Sequence, residues 1–196
     1  MKARPMPTKA ATVHVCALRH LPEAIERTGA CHLVSAINGD VFPKTPAGIA
    51  RHNHLKLDMH DITEPTFGST APATEHVSKL LAFVQSWDQS TPLLIHCFAG
   101  LSRSTAAAFI TLCALNPETP EEVIALALRR SSDTAVPNRL FVRHADIALR
   151  RQGRMLAALD GMGPHRPAIE CIPFGVEVRH ETPAWHGERE RLASAG

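Results

Sequence analysis

A nucleophilic thiol and a fixed positive charge lie close together in residues 96–104, which read HCFAGLSRS. Cys97 can attack an electrophile as a thiolate, and the planar guanidinium of Arg103 can hold two oxygens of one oxyanion. Five residues separate the two side chains, and Gly100 among them allows a tight turn that a side chain would obstruct. The spacing therefore predicts a short loop that wraps around a phosphate-sized anion, with the thiol at its base.

The patterns on either side of this segment support that interpretation. Residues 93–95 form a short, fully apolar run typical of a buried strand, and residues 101–115 form a helical pattern that is apolar nearly all round. A strand followed by a loop and a helix N-terminus turns backbone N–H groups toward an anion, and the helix dipole favours the thiolate of Cys97. Ser104 can donate a hydrogen bond to that sulfur, which makes it a better leaving group.

The rest of the chain alternates strand and helix patterns. Strands are predicted at 12–16, 31–37, 54–59 and 93–95, and helices at 22–28, 73–87, 101–115, 119–130 and 138–159. This alternation predicts an α/β fold in which helices flank a central, mostly parallel sheet in three layers. Residues 1–160 are expected to form one domain. Residues 161–196 are rich in Pro, Gly, His and charge, and are expected to form a loosely packed C-terminal tail with one short strand at 175–178.

The motif HCxxGxxR followed by Ser or Thr is the signature of the cysteine-dependent protein tyrosine phosphatases, and residues 96–104 match every fixed position. With its cysteine in mid-chain after several strands, the sequence resembles the compact, dual-specificity-like branch of that superfamily. A Pro-Asn step at residues 137–138, before the last predicted helix, extends the resemblance. It implies a hydrolase that needs no metal or cofactor and forms a cysteinyl-phosphate intermediate on phosphotyrosine or mixed phosphoprotein substrates.

The resemblance also implies roles for individual residues. The nucleophile is Cys97, while Arg103 binds the phosphoryl oxygens and His96 is a buried, hydrogen-bonded residue that shapes the loop. The implied catalytic set is Cys97, Arg103, Asp61, Ser104 and His96, and the implied phosphate-binding set is Phe98, Ala99, Gly100, Leu101, Ser102 and Arg103. Phe98 and Leu101 are also the candidates for apolar contacts in the substrate pocket.

Three carboxylates compete for the role of general acid. In the enzymes that this sequence resembles, the general acid lies at the end of an upstream strand, and Asp61 occupies the matching position. Asp58, inside the strand pattern, is the alternative, and Glu64 ranks third. The loop that follows has the Pro and Gly content of a mobile segment, but it lacks the Trp-Pro-Asp sequence of the classical enzymes. The resemblance therefore favours Asp61 less strongly than it favours the nucleophile.

The composition limits which classes of partner and which cellular compartment are expected for this protein. The net charge of +2 is too small to indicate nucleic acid, and no apolar run reaches the ~18 residues of a membrane span. Five cysteines without CxxC spacing indicate a reducing compartment, and the basic N-terminus leads into no apolar signal core, so a cytoplasmic protein is predicted. The expected partner is a phosphorylated protein or peptide.

Several alternatives stay open. His52, His54, His60 and His76 could form a metal site, although no carboxylate motif completes one. The arginines between residues 129 and 154 are expected on a solvated helical face, with Arg129 or Arg130 at the rim of the pocket as the alternative.

Two rival functions and one redox alternative also remain. A catalytically silent module could keep the anion cradle without turnover. A phosphatase could act on phosphoinositides, nucleotides or another small phosphoester, although the uncharged side chains between Cys97 and Arg103 disfavour highly anionic head groups. Cys16, Cys31 and Cys113 are expected in the core, with a redox partnership to Cys97 as the alternative, and Cys171 has no assigned role.

Overall fold

A five-stranded sheet forms the centre of the computed structural model, which describes residues 11–180. The strands are β1 (Thr12–Ala17), β2 (His32–Ile37), β3 (His54–Asp58), β4 (Leu93–Cys97) and β5 (Phe174–Glu177), in the order β3-β2-β4-β1-β5. The first four strands are parallel, and β5 runs antiparallel beside β1. The predicted central, mostly parallel sheet is therefore confirmed.

Helices cover both faces of this sheet. They are α1 (Leu21–Thr28), α2 (Thr74–Ser86), α3 (Arg103–Leu115), α4 (Glu121–Ser131), α5 (Arg139–Ala148) and α6 (Arg154–Asp160). Side chains alternate along β1, so Val13 and Val15 join the core under α2–α6, whereas Cys16 packs with Leu21 and Ala24 of α1. This gives the three predicted layers. None of the helices within residues 11–180 has the length and apolar character needed to cross a bilayer.

The two elements around residues 98–102 are the most deeply buried of the fold. Every residue of β4 is buried, and so is α3 from Arg103 to Cys113. The register pairs Ala17 with Cys97, so β1 and β4 end at the same edge of the sheet. A loop that leaves β4 at this edge is therefore held by rigid elements on both sides.

The prediction of a single helix at 138–159 is wrong, because two helices, α5 and α6, occupy this span. The chain between them adopts positive φ angles at Arg150, Gln152 and Gly153. The carboxylate of Asp146 accepts hydrogen bonds from the backbone N–H groups of Gly153 and Met155, which satisfies the start of α6. Residues 150–154 read RRQGR, so the interruption of the apolar pattern and Gly153 were the local signals of this break.

The break turns Arg151 into the protein interior. Its guanidinium donates to the carbonyls of Cys113 and Pro117 and pairs with Glu121 at 3.0 Å. Arg154 binds the same carboxylate at 3.1 Å, but its side chain is 49% exposed, against 9% for Arg151. The kink thus exchanges helical hydrogen bonds for a buried ion pair.

The loose packing expected after residue 160 is wrong for residues 171–178, whereas residues 163–170 are mostly exposed and form no helix or strand. β5 extends the sheet, with Phe174 opposite Val15, and Val176 and Val178 join the main core. The side-chain amide of Asn116 donates to the carbonyl of Val178. The short strand predicted at 175–178 is confirmed, shifted by one residue. The division of the chain at residue 160 stays a prediction, and residues 181–196 lie outside the described part.

We expect Arg151→Leu to lower the free energy of unfolding by about 3 kcal/mol, because it leaves Glu121 buried with a single, half-exposed partner. The matched control is Arg154→Leu, which should lower the free energy of unfolding far less, since its side chain is half-exposed and solvent screens the pair. Urea unfolding followed by circular dichroism measures both. Equal losses in the two variants would contradict this account of the buried pair.

Candidate active site

The loop that joins β4 to α3, residues 97–103, turns its carbonyl groups away from its own centre. Four of them accept backbone hydrogen bonds from surrounding segments: Phe98 O from Leu18 N (3.0 Å), Ala99 O from Cys171 N (2.9 Å), Leu101 O from Val136 N (2.8 Å) and Ser102 O from Asn138 N (3.3 Å). Since carbonyl and N–H groups of a tight loop point in opposite directions, the N–H groups are left facing inward. The 97–103 loop is therefore shaped as an anion cradle.

The sulfur of Cys97 lies at the base of this cradle. It accepts a hydrogen bond from the backbone N–H of Gly100 at 3.2 Å and lies 3.1 Å from the hydroxyl oxygen of Ser104. Gly100 has φ +73°, and a Cβ there would overlap the sulfur of Cys171 and lie 2.9 Å from the backbone nitrogen of Ala17. Only glycine fits this position, so the predicted turn at Gly100 has a direct structural reason.

Arg103 is buried at the first turn of α3. One terminal nitrogen donates to the carbonyl of Met59 at 2.9 Å, which fixes the side chain. Its Nε is buried and has no hydrogen-bond partner among residues 11–180. A buried donor without a partner carries a free-energy cost, and an oxyanion in the cradle would remove it.

Asp61 is the carboxylate that reaches the 97–103 loop. Its Oδ1 accepts from the hydroxyl of Ser102 at 2.6 Å and from the side-chain amide of Asn138 at 2.9 Å, and its Oδ2 lies 3.8 Å from Arg103 Nε. Asp58, the alternative, instead accepts from the backbone N–H of Gly39 at the edge of the sheet. The geometry thus brings Asp61 to the cysteine loop and leaves Asp58 outside it.

Asn138 is a site residue that the sequence analysis noticed only as part of a Pro-Asn step. Its side-chain amide donates to Asp61 and to the carbonyl of Ile62, and its side-chain oxygen accepts from Phe141 N at the start of α5. Its own backbone N–H donates to Ser102 O. One residue, through its side chain and its backbone, therefore joins the Asp61 segment, the cysteine loop and a helix N-terminus.

Solved structures share this architecture. Human DUSP28 is 17% identical, with 76% of this chain and 99% of DUSP28 covered and a TM-score of 0.56. The PTP-2 phosphatase of Cydia pomonella is 20% identical, with 68% and 83% covered and a TM-score of 0.54. PTPMT1, solved in complex with PI(5)P, is 16% identical, with 71% and 90% covered and a TM-score of 0.54. The chain has the dual-specificity phosphatase fold. No family model and no curated protein matches the sequence.

A chain of buried hydrogen bonds lies beneath the cysteine loop of this phosphatase fold. It links Thr45 Oγ1 to His54 Nδ1 (2.9 Å), His54 Nε2 to Ser35 Oγ (2.8 Å), Ser35 Oγ to His96 Nε2 (2.6 Å) and His96 Nδ1 to Cys97 O (3.2 Å). Because a carbonyl only accepts, His96 Nδ1 carries a hydrogen. If both histidines are neutral, every other atom in this series of hydrogen bonds is then fixed as a donor or as an acceptor. Thr45 donates to His54, His54 to Ser35, and Ser35 to His96.

Both histidines of this chain are held in the neutral form. Burial lowers the pKa of His54 to about 4, with Lys56 contributing. Burial likewise lowers the pKa of His96 to about 4, and the nearby Arg103 acts in the same direction. His96 thus lies where the sequence analysis expected it, in the interior beneath the loop. The polar Ser35 within the apolar strand β2 was the one available signal of its partner.

The histidines weighed as metal ligands do not converge. His54 belongs to the buried chain, and His60 and His76 each accept a hydrogen bond from a backbone N–H. Within residues 11–180, no group of three or more His, Cys, Asp or Glu side chains could hold a metal ion.

All five cysteines are free thiols. Cys16 and Cys113 are buried, while Cys31 is half-buried. Cys171 lies against Gly100, a neighbour that its distant place in the sequence gave no reason to expect. Burial is the main cause that raises the pKa of Cys16 and of Cys171 to about 12. These two thiols therefore stay protonated at neutral pH, and a redox partnership with the loop cysteine stays a prediction.

Exposed apolar side chains lie on the 97–103 loop and on the segments joined to it. We call them the apolar rim: Phe67, Phe98, Val136, Ile169 and Ile172. Phe98, a candidate for substrate contact, is 62% exposed, while Leu101, the other candidate, is half-buried. Of the two, Phe98 offers the larger accessible surface to a bound ring.

Stability is expected to fall in mild acid because of His54 and His96. The unfolded chain protonates these groups near pH 6.5, whereas the folded protein resists until about pH 4. Their contribution is thus complete above pH 6.5 and is lost as the pH falls toward 4, by up to about 3 kcal/mol per histidine. Urea unfolding across this interval measures the loss, and His54→Gln should roughly halve the slope. A flat profile for the wild type would refute the assignment of neutral histidines.

Proposed function

We propose that this chain is a phosphomonoester hydrolase of the protein tyrosine or dual-specificity type, with Cys97 as the nucleophile and no metal requirement. The observation that carries the proposal is the position of the Cys97 sulfur at the base of a cradle in which four carbonyls are hydrogen-bonded to surrounding segments. The backbone N–H of Gly100 donates to that sulfur, and the hydroxyl oxygen of Ser104 lies 3.1 Å from it. Asp61 and Arg103 lie at the same loop.

In the first step, the Cys97 thiolate attacks the phosphorus of a bound monoester. The loop amides and Arg103 hold the equatorial oxygens while the bond to the leaving oxygen breaks. Asp61 gives its proton to that oxygen, so the alcohol or phenol departs neutral. The product of this step is a cysteinyl-phosphate.

In the second step, water attacks the phosphorus of this intermediate. Asp61, now a carboxylate, takes a proton from the water, and the phosphorus–sulfur bond breaks. The sulfur leaves as a thiolate that Gly100 N–H and the Ser104 hydroxyl stabilise. Inorganic phosphate is released, and both groups return to their starting states.

Phosphotyrosine is the substrate group that the surroundings favour. The apolar rim can contact an aromatic ring, with Phe98 nearest to the cradle in sequence. PTPMT1 is solved with a phosphoinositide, but the cysteine loop of this chain carries no lysine that would suit such a head group. We therefore propose phosphoprotein substrates in the cytoplasm, a compartment that also suits five free thiols.

The first test is hydrolysis of para-nitrophenyl phosphate in EDTA by the wild type and by Cys97→Ser. We expect turnover by the wild type and a loss of at least about a thousandfold in the variant, because the nucleophile is removed. The variant should still bind vanadate, since the amides and Arg103 remain. Loss of wild-type activity in EDTA would favour a metal enzyme. Vanadate binding without any turnover would favour the catalytically silent module.

The second test concerns the general acid. Asp61→Asn should slow phenyl phosphate, which has a poor leaving group, by about 10²–10⁴-fold, and slow para-nitrophenyl phosphate far less. Asp58→Asn is the matched control and should leave both rates near those of the wild type. Asn138→Ser keeps a capping side chain for α5 but loses the bond to Asp61, so a milder form of the same selectivity is expected. If Asp58→Asn shows the selective loss, the acid is Asp58.

A further inference from the structure

The exposed apolar side chains of this protein are concentrated around the cysteine loop. Within residues 11–180, eight large apolar side chains are exposed, and five of them form the apolar rim. Scattered single residues of this kind need no explanation, but a cluster beside a binding site marks a contact surface. We propose that the apolar rim binds substrate residues next to the phosphotyrosine and so selects phosphopeptides with large apolar side chains there. This inference rests on the proposed function, because it assumes that the phosphoryl group occupies the 97–103 loop.

Two members of the apolar rim, Ile169 and Ile172, lie on residues 166–172, which we call the strap. The strap is tied to the fold by the hydrogen bonds Arg166 N to Asp133 O (2.7 Å) and Cys171 N to Ala99 O (2.9 Å), and by those of the Glu170 carboxylate with Arg19 and His20. Although the backbone is held at these points, the two isoleucines are 95% and 76% exposed. Ordered chain therefore presents them outward beside the loop.

Val136 and Phe67 continue the apolar rim beyond the strap. The backbone N–H of Val136 donates to Leu101 O, the loop carbonyl two residues after the one that binds the strap. Phe67 lies on the segment that carries Asp61, in the hydrogen-bonded turn 66–69, and its side chain is fully exposed. The apolar rim thus follows the cysteine loop from the strap to the Asp61 segment.

The apolar rim can contact the residues that flank a bound phosphotyrosine. Two residues of extended chain span at most about 7 Å, so the side chains that reach segments bonded directly to the loop belong to residues about two positions away. Phe98, on the loop itself, is left for the aromatic ring. An apolar side chain that covers Ile172 or Phe67 removes surface from water on both molecules. Little conformational entropy is lost, because the chain that carries these residues is already ordered.

The strap carries two charged side chains, and both are paired. Glu170 binds Arg19 at 2.5 Å, and Arg166 binds Asp133 at 2.7 Å. An acidic residue of a peptide finds no uncompensated cation on the strap, so apolar contact is the interaction that this segment offers. An anionic membrane surface would also need excess positive charge there. The strap therefore favours a peptide with apolar flanks over an acidic peptide or a lipid surface.

Binding to the full-length Cys97→Ser protein tests this inference without turnover. Isothermal titration would compare three versions of one phosphotyrosine peptide, with Leu, Ser or Glu at the positions two before and two after the phosphotyrosine. We expect Kd for the Leu peptide to be lower than for the Ser and Glu peptides by at least about tenfold. The heat-capacity change of binding should also be more negative for the Leu peptide, because more apolar surface is buried. The ratio of the Leu and Ser Kd values should change little with salt.

Serine substitutions locate the contact. Ile172→Ser and Phe67→Ser should each lower the preference for Leu over Ser about threefold, and the double variant should bring it close to one, because the two flanks share the gain. Ile147→Ser is the matched control. Ile147 lies on α5 outside the apolar rim and is 69% exposed, so the full preference should remain. All three side chains are exposed, so their replacement is expected to leave the fold intact.

Equal Kd values for the Leu and Ser peptides in the Cys97→Ser protein would overturn the inference. So would a preference for Leu that survives the double substitution, or equally tight binding of the Leu peptide without its phosphate, since the apolar rim would then act apart from the loop. An effect of the substitutions that appears only when the phosphotyrosine is presented on lipid vesicles would assign the apolar rim to a membrane surface instead. Failure of the wild type to hydrolyse para-nitrophenyl phosphate would strike the proposed function, and the Kd ratios would still decide the role of the apolar rim.

Discussion

The outward bonding of the loop carbonyls is the constraint on which the site depends. The carbonyls of Phe98, Ala99, Leu101 and Ser102 accept hydrogen bonds from three surrounding segments, at residues 18, 171 and 136–138. Without those partners a tight loop would turn some carbonyls inward. An inward carbonyl would repel a phosphate oxygen and the thiolate alike. The cradle is thus a product of the tertiary structure around it, and its shape is fixed before any anion arrives.

The electrostatics of the site depend on where charge is absent as well as where it is present. The buried histidine chain places a neutral donor under the loop, so His96 holds the carbonyl of Cys97 without adding a charge next to the sulfur. The fixed cation is Arg103, anchored on Met59 at a site where Nε finds no hydrogen-bond acceptor within residues 11–180. The fixed positive charge of the site therefore lies at the first turn of α3.

Local sequence predicted the parts of the site that are local. Strand, loop and helix around residues 96–104 follow from a single stretch of chain, and the α/β layers follow from periodicity. The choice of Asp61 over Asp58 required the resemblance to a known family. The two residues are of the same type, and the only difference between them is that Asp61 reaches Ser102 in the fold. The burial of Arg151 and the contact of Cys171 with Gly100 depend on partners far away in sequence, for which no local pattern exists. Ser35 is an intermediate case. A lone hydroxyl in an apolar strand indicates that a hydrogen-bond partner exists, but the sequence does not identify which residue it is.

The segment around Cys171 has a consequence for biosynthesis. Translation adds about 5–20 residues per second, so on the order of ten seconds pass between the synthesis of Ala99 and that of Cys171, which supplies its hydrogen-bond donor. During that interval the nascent chain already carries Cys97 and α3 but lacks one side of the loop's support, and β1 has an unpaired edge. Cys97 is therefore made early, whereas the support of its loop is completed only after residue 171 has been added.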